Sequence, residues 1–357
     1  MKNVTLLAIF AVFGSLGWGM TLTNDYATMP VAVVFANHRV YKFAVNCSSS
    51  KSYVDPSLAP SLIEGSLKIR VANVEDSLFP QIASVRIRSL IGQDVDGIIG
   101  FDFLKNFVCC WDSSKNELQL FRPSALPLNW SKIKQSGTIM SKLDLESGIP
   151  RLPVSIGISS FDAVLTFSSG DFLISRLALR GKPGNSTFVV NLQFEKGVVP
   201  LSTKSTEEIS AKGVGPKVDA ALGLSCFVGR TVLDFPAKEL YSNMSVDDAA
   251  AQILTQALGI QMQIRGGKLR ATRILAALSK SSDILGWPIL VIGSFPTASL
   301  LDKIHHPSTT DPFSPWDKFL PTLKNRVKLL IETPLGVQYY DLEIPERVFD
   351  APPRDQK

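Results

Sequence analysis

The feature that most narrows the folds open to this chain is an internal repeat. The segment Asp96-Gly97-Ile98-Ile99-Gly100 returns as Asp219-Ala220-Ala221-Leu222-Gly223, an offset of 123 residues. Each copy is a glycine-ended apolar turn that leads into a short amphipathic segment, FDFLKN in one and LSCFVG in the other. A strand-like run then carries an aspartate (Asp112, Asp234), and six residues later a leucine (Leu118, Leu240) opens the next strand. A second pair of matches lies upstream. Pro30-Val31-Ala32-Val33 begins an alternating hairpin with a turn at Asn37-His38, and Pro153-Val154-Ser155-Ile156 begins its counterpart. Both run into a Ser-rich loop and a short helix ending Leu58-Ala59 or Leu177-Ala178, and placing Asn46 opposite Thr166 gives an offset of 120. Two features at almost one period imply a tandem duplication. Period-two alternation with Gly and Pro punctuation makes the duplicated unit a β lobe. The expected lobes are residues 24–122 and 123–242.

The order strand, loop, helix, strands and then Asp96 to Leu104 (DGIIGFDFL) resembles the retropepsin-like and pepsin-like aspartic proteases, over about residues 30–242. The resemblance implies a mainly β protein with two tandem lobes about a pseudo-twofold axis and the loops at Asn46 and Thr166 facing one another. In that family each loop reads Asp-Thr-Gly. The two aspartates share one proton, because like charges at that distance cannot both ionise. The threonines tie the loops together, and glycine permits close backbone approach. Here the matching residues are Asn46-Cys47-Ser48 and Thr166-Phe167-Ser168. Neither an amide nor an aliphatic hydroxyl can share a proton in this way, so no catalytic residue is assigned.

A non-catalytic pseudoprotease is therefore expected, with the lobe cleft holding an extended peptide. Two alternatives stand beside it. One is an active aspartic-type endopeptidase working through other residues; the other is a structural envelope protein whose cleft is filled by its own side chains, Phe167 among them. Asp55 and Asp171 read as helix-start or surface acids. Cys47, with only His38 in its lobe, reads as an ordinary buried cysteine. Ser48 to Ser50 and Ser168-Ser169 lack a histidine partner and a G-x-S-x-G elbow.

Residues 1–19 have the form of a signal peptide: Lys2, an apolar run from Val4 to Phe13, and Gly17-Trp18-Gly19. The expected location is outside the cytosol, periplasmic or extracellular. A retained N-terminal anchor is the alternative; no later segment is apolar enough to span a membrane. The formal charge of +5 is not concentrated in any run of Lys and Arg, which argues against a nucleic-acid partner. Cys47, Cys109, Cys110 and Cys226 are too few for a disulfide framework in a chain of 357 residues, and His305-His306 stands in a Pro/Ser/Thr-rich stretch without metal-ligand spacing. No cofactor or metal is expected.

In the C-terminal third, Ser245 N-caps a helix with Asp248 at its third position, and Gly259 stops it. A β-rich stretch with a tight turn at Gly266-Gly267 follows. Leu258-Gly259-Ile260 and the run Ile284 to Pro296 resemble a PDZ domain of the kind fused to bacterial proteases, over about residues 257–346 of a module spanning 245–350. Trp287 stands where that family has aspartate, and loop 302–315 is long. The resemblance implies an α+β module that binds peptide C-termini. The amides of Leu258, Gly259 and Ile260 would cradle the carboxylate, beside strand Gln261–Arg265 and a helix near Trp316 to Lys324. A plain helix cap followed by an edge strand accounts for the same residues equally well.

Overall fold

The computed structural model describes residues 20–21, 30–71, 74–91, 94–115, 117–167, 172–175, 187–206, 219–274, 284–308, 311–323, 326–344 and 349. Residues 1–19, Ser168, Ser169, Asp171 and Leu177-Ala178 lie outside them. The chain is mainly β.

Lobe one opens with β1 (Met20–Thr21), β2 (Val31–Ala36) and β3 (Arg39–Val45). Asn37 and His38, at φ 47° and 61°, make the two-residue turn between β2 and β3, which suits the twist of the paired strands. In β2, Ala32, Val34 and Ala36 are buried while Val33 and Phe35 face outward. There follow β4 (Tyr53–Val54), β5 (Leu67–Val71), β6 (Val74–Leu78), β7 (Gln81–Ile82), helix α1 (Ile87–Ile91), β8 (Gly97–Ile99) and helix α2 (Phe101–Leu104). The sheet order is β6-β5-β2-β3-β8-β4-β7. Next come β9 (Val108–Asp112), β10 (Glu117–Phe121), helix α3 (Leu128–Ser136) and β11 (Ile139–Lys142).

Lobe two repeats the plan with β12 (Arg151–Ile156), β13 (Ser159–Thr166), β14 (Phe172–Ser175), β15 (Thr187–Gln193), β16 (Val198–Thr206) and β17 (Ala220–Gly223), closed as a barrel in the order β12-β13-β17-β14-β16-β15. The lobes share one circuit. In lobe two the continuous β16 pairs with both β15 and β14; in lobe one that role is divided, β6 pairing with β5 and β7 with β4. The cut falls at Phe79-Pro80, where proline has no amide to give a ladder.

The lobes are joined by β18 (Arg230–Asp234) and β19 (Glu239–Ser242), which complete a six-stranded sheet ordered β1-β10-β9-β18-β19-β11. Its central pair is antiparallel and sets Cys110 opposite Val232. These two residues are repeat equivalents, as are Asp112 and Asp234, so the pseudo-twofold axis passes through that rung. Accordingly Asp112 faces Arg230 and Val108 faces Asp234. The edges are also related: Met20 of β1 pairs with Leu118, and Ser141 of β11 pairs with Leu240. As alternation requires, Cys109 enters the large core shared by both lobes, while Cys110 packs with Trp130 and Ile133 of α3 on the opposite face.

After Ser245, whose capping box with Asp248 is formed, come α4 (Val246–Leu258), β20 (Ile260–Arg265), β21 (Lys268–Ile274), β22 (Ile289–Ile292), β23 (Phe295–Pro296), α5 (Thr297–His305), α6 (Trp316–Phe319), β24 (Arg326–Thr333) and β25 (Gly336–Glu343). This module has its own core, joined by Val189 of lobe two. It is fastened to that lobe where the amide of Asn191 donates to the Pro312 carbonyl at 2.8 Å and its side chain to the Ser314 carbonyl at 2.9 Å. Two expectations need correction. The stretch 302–315 is not all loop, because α5 runs to His305. The helix near Trp316 to Lys324 is a single turn, continued as a 3-10 turn at Leu320–Thr322, and Trp316, Phe319 and Leu320 point into the core. Pro321 cannot extend the ladder of helical hydrogen bonds, and three large apolar side chains are worth more buried than along a groove.

Candidate functional site at the lobe junction

Each loop of interest leaves its lobe between two parallel strands. Val45 of β3 pairs with Ile99 of β8, and Leu165 of β13 pairs with Leu222 of β17. Asn46 begins the first loop, its amide donating to the Ile99 carbonyl at 3.0 Å. Its side-chain oxygen accepts from the Ser48 amide at 3.0 Å and the Ser48 hydroxyl at 2.6 Å, which closes a tight Asx-type turn. The loop then lies against the Asp96–Gly100 motif. A Cβ on Gly100 would stand 2.2 Å from the Lys51 carbonyl oxygen, and one on Gly97 would stand 2.3 Å from the Phe43 ring. Gly100 is needed for that approach and Gly97 for the packing of β8 on Phe43, and Asp102 fixes the loop by accepting from the Ser52 hydroxyl at 2.6 Å and the Ser52 amide at 3.0 Å.

The two loops meet. The Cys47 thiol donates to the carbonyl of Leu165 at 3.2 Å, so the residue after Asn46 reaches the residue before Thr166. The backbone amide of Phe167 bears on the same sulfur. Relative exposure is 0% at Cys47, 5% at Asn46, 6% at Thr166 and 7% at Phe167. Burial pushes the Cys47 thiol far above its ordinary range, and the amides of Cys47 and Phe167 offset this only in part. An uncharged thiol is neither a nucleophile nor a metal ligand.

Among the described residues, the carboxylates near these motifs are occupied elsewhere. Asp55 N-caps the 3-10 turn Pro56–Ser61, accepting from the Ser57 amide at 3.0 Å, and also accepts from the Ile87 amide at 3.1 Å. Burial raises its pKa, but these bonds and Arg86 outweigh that and hold it below the usual range. Asp96 accepts from the Lys42 amide at 2.8 Å. Asp112 and Asp234 hold Arg230 and Lys134 at the central sheet, at 3.1 and 3.2 Å. His38 is at the hairpin tip, the far end of β3 from Cys47. Cys47, Cys109, Cys110 and Cys226 are all buried, and no disulfide joins any two of them.

In the C-terminal module, Leu258-Gly259-Ile260 has the geometry of a helix cap. Gly259 is left-handed at φ 67°, and its amide donates to the Thr255 carbonyl at 2.9 Å. The Met262 amide is taken by the Thr255 hydroxyl at 2.9 Å. An amide that would cradle a carboxylate is therefore already spent on α4.

A groove of about 540 Å³ opens between β12 and β15, lined by Lys142, Pro153, Ser155, Phe161, Gln193 and Glu195 among others. Pro153 is the readable signal, since it removes a donor and leaves Ser155 opposite Gln193 as the sole rung of that seam among the described residues. No residue of the two loops lines it. Among the described residues no three His, Cys, Asp or Glu gather as a metal site, and no helix is long and apolar enough to cross a membrane.

No protein-family model and no curated protein matches the sequence. Among solved structures, the crystal structure of basic 7S globulin from soybean superposes with a TM-score of 0.41 at 11% identity, over 65% of this chain and 96% of that one.

Proposed function

We propose that the chain is an exported, non-catalytic protein built on the duplicated lobe plan of the aspartic proteases, and that it acts as a scaffold. One observation carries the proposal. At the junction of the lobes the loop-to-loop tie is kept through Cys47 and Leu165, while an amide and a hydroxyl stand at Asn46 and Thr166. A proton-sharing pair needs two carboxylates within a few ångströms, one ionised and one not. Neither Asn46 nor Thr166 can take either role. The burial of Asn46, Cys47, Thr166 and Phe167 favours a junction filled by the protein itself, so any peptide partner would lie over these residues and not against them. Export rests on the charge and hydropathy pattern of residues 1–19.

The test is incubation of the purified chain with a denatured protein substrate from about pH 2 to pH 7, the range over which carboxylate pairs titrate, with and without pepstatin. No cleavage is expected at any pH. Pepstatin-sensitive cleavage would show that a catalytic pair exists and would overturn the proposal.

A further inference from the structure

The β20–β21 hairpin carries four cations, Arg265, Lys268, Arg270 and Arg273, within nine residues. Its tip is Gly266-Gly267, both left-handed at φ 57° and 70°, and Arg265 faces Lys268 across the turn. The next outward rungs are Gln263 opposite Arg270 and Gln261 opposite Arg273. The inward residues Met262, Ile264, Leu269 and Ala271 are buried. Strict alternation would turn Arg273 inward with Leu269 and Ala271. A register shift between Gln261 and Met262, which leaves Thr272 as the extra residue, keeps Arg273 on the outer face. The outcome is a ladder of four cations with a like-charged pair directly opposed at its tip, an arrangement that weakens a hairpin. Among the described residues Glu332 offsets one of them, holding Lys268 at 3.4 Å, and Arg270 is turned toward the Gly286 carbonyl at 2.6 Å.

That last contact brings a second feature to the same place. The segment Ile284 to Pro288 runs beside β21, bridging at Ala271 to Leu285 and at Arg270 to Pro288. Here Leu285 and Trp287 are 39% and 37% exposed. An exposed indole and leucine beside a cationic ladder present two chemistries to one partner. The apolar pair gains by leaving water, and the cations gain from a field of negative charge.

We propose that this face of the C-terminal module docks on an anionic lipid surface, with Trp287 and Leu285 entering the headgroup region and Arg265, Lys268, Arg270 and Arg273 meeting the lipid phosphates. A polyanion such as RNA would satisfy the cations but leave Leu285 without an apolar partner.

The experiment is sedimentation of the full-length chain with vesicles of neutral phosphatidylcholine and with vesicles containing phosphatidylglycerol. The neutral vesicles report any binding through apolar residues 4–13. Binding should be specific to the anionic vesicles and should fall as salt is raised. Each cation near such a surface contributes about fivefold in partitioning, so R265Q/R273Q should lose about 25-fold. Trp287→Ala should weaken binding while leaving its salt dependence intact. Circular dichroism of each variant establishes that it is folded, and the salt series on the unaltered chain tests the electrostatic claim without any variant. Equal binding to both vesicle types, no binding, or undiminished binding by folded R265Q/R273Q would each overturn the proposal. Preference for a single-stranded RNA over the vesicles would also overturn it and would mark the ladder as a nucleic-acid site.

Discussion

Single residues decide whether the loops can meet. Gly97 and Gly100 flank the apolar pair Ile98-Ile99, and each sits where a Cβ would strike a fixed neighbour, a buried ring in one case and backbone in the other. Backbone cannot rotate out of the way, so Gly100→Ala should lower the unfolding free energy by about 3 kcal/mol, read as a reduced urea midpoint with unchanged slope. A midpoint equal to that of the unaltered chain would show that Lys51 is free to shift. The motif was legible in sequence because its two ends, Asp96 and Gly100, recur at the repeat offset as Asp219 and Gly223. The thiol bond from Cys47 to Leu165 was not, since a cysteine next to Asn46 carries no signal for a partner 118 residues away.

Paired elements hold the lobes together through the central sheet. Asp112 accepts from Arg230 across the β9–β18 pair, and Asp234 receives Lys134 from α3, whose ammonium also lies 5.3 Å from the Tyr241 ring. Burial raises the Asp112 pKa, but Ser114 and Arg230 outweigh it and hold the carboxyl below the usual range. Glu239 is held low as well, chiefly by its bond from Tyr241, whose own pKa is pushed up to about 12, mainly by burial. A carboxyl whose folded pKa lies below its unfolded value stabilises the fold above the unfolded pKa. That contribution is lost as pH falls through the folded value. Urea midpoints should therefore drop as pH falls below about 4. Asp112→Asn should cost about 2 kcal/mol at pH 7 and flatten that acid decline. An unchanged acid slope in the variant would remove Asp112 from the account. At this scale the sequence was partly legible. The hairpins, the Ser245 cap and the Gly266-Gly267 turn follow from local chemistry. The two-residue β1 is too short to carry a periodic pattern, and apolar spacing at Trp316, Phe319 and Leu320 looks the same whether a helix lines a groove or fills a core.

At the scale of the molecule the duplication was readable, because two motifs kept one period through 120 residues of divergence. The place where the copies meet depends on contacts between lobes, which no local pattern encodes; so does the docking of the C-terminal module on Asn191. The lobe junction depends on those facing loops being closed against each other, with an amide at Asn46 and a hydroxyl at Thr166. Alkylation of Cys47 by iodoacetamide, located by peptide mass mapping, tests this most directly, because only an exposed and ionised thiol reacts. The native protein should leave Cys47 unmodified for as long as Cys109 and Cys226 stay unmodified, and all should react together once urea unfolds the chain. Rapid labelling of Cys47 in the folded protein, with Cys109 and Cys226 still protected, would mean an open junction and would contradict the account.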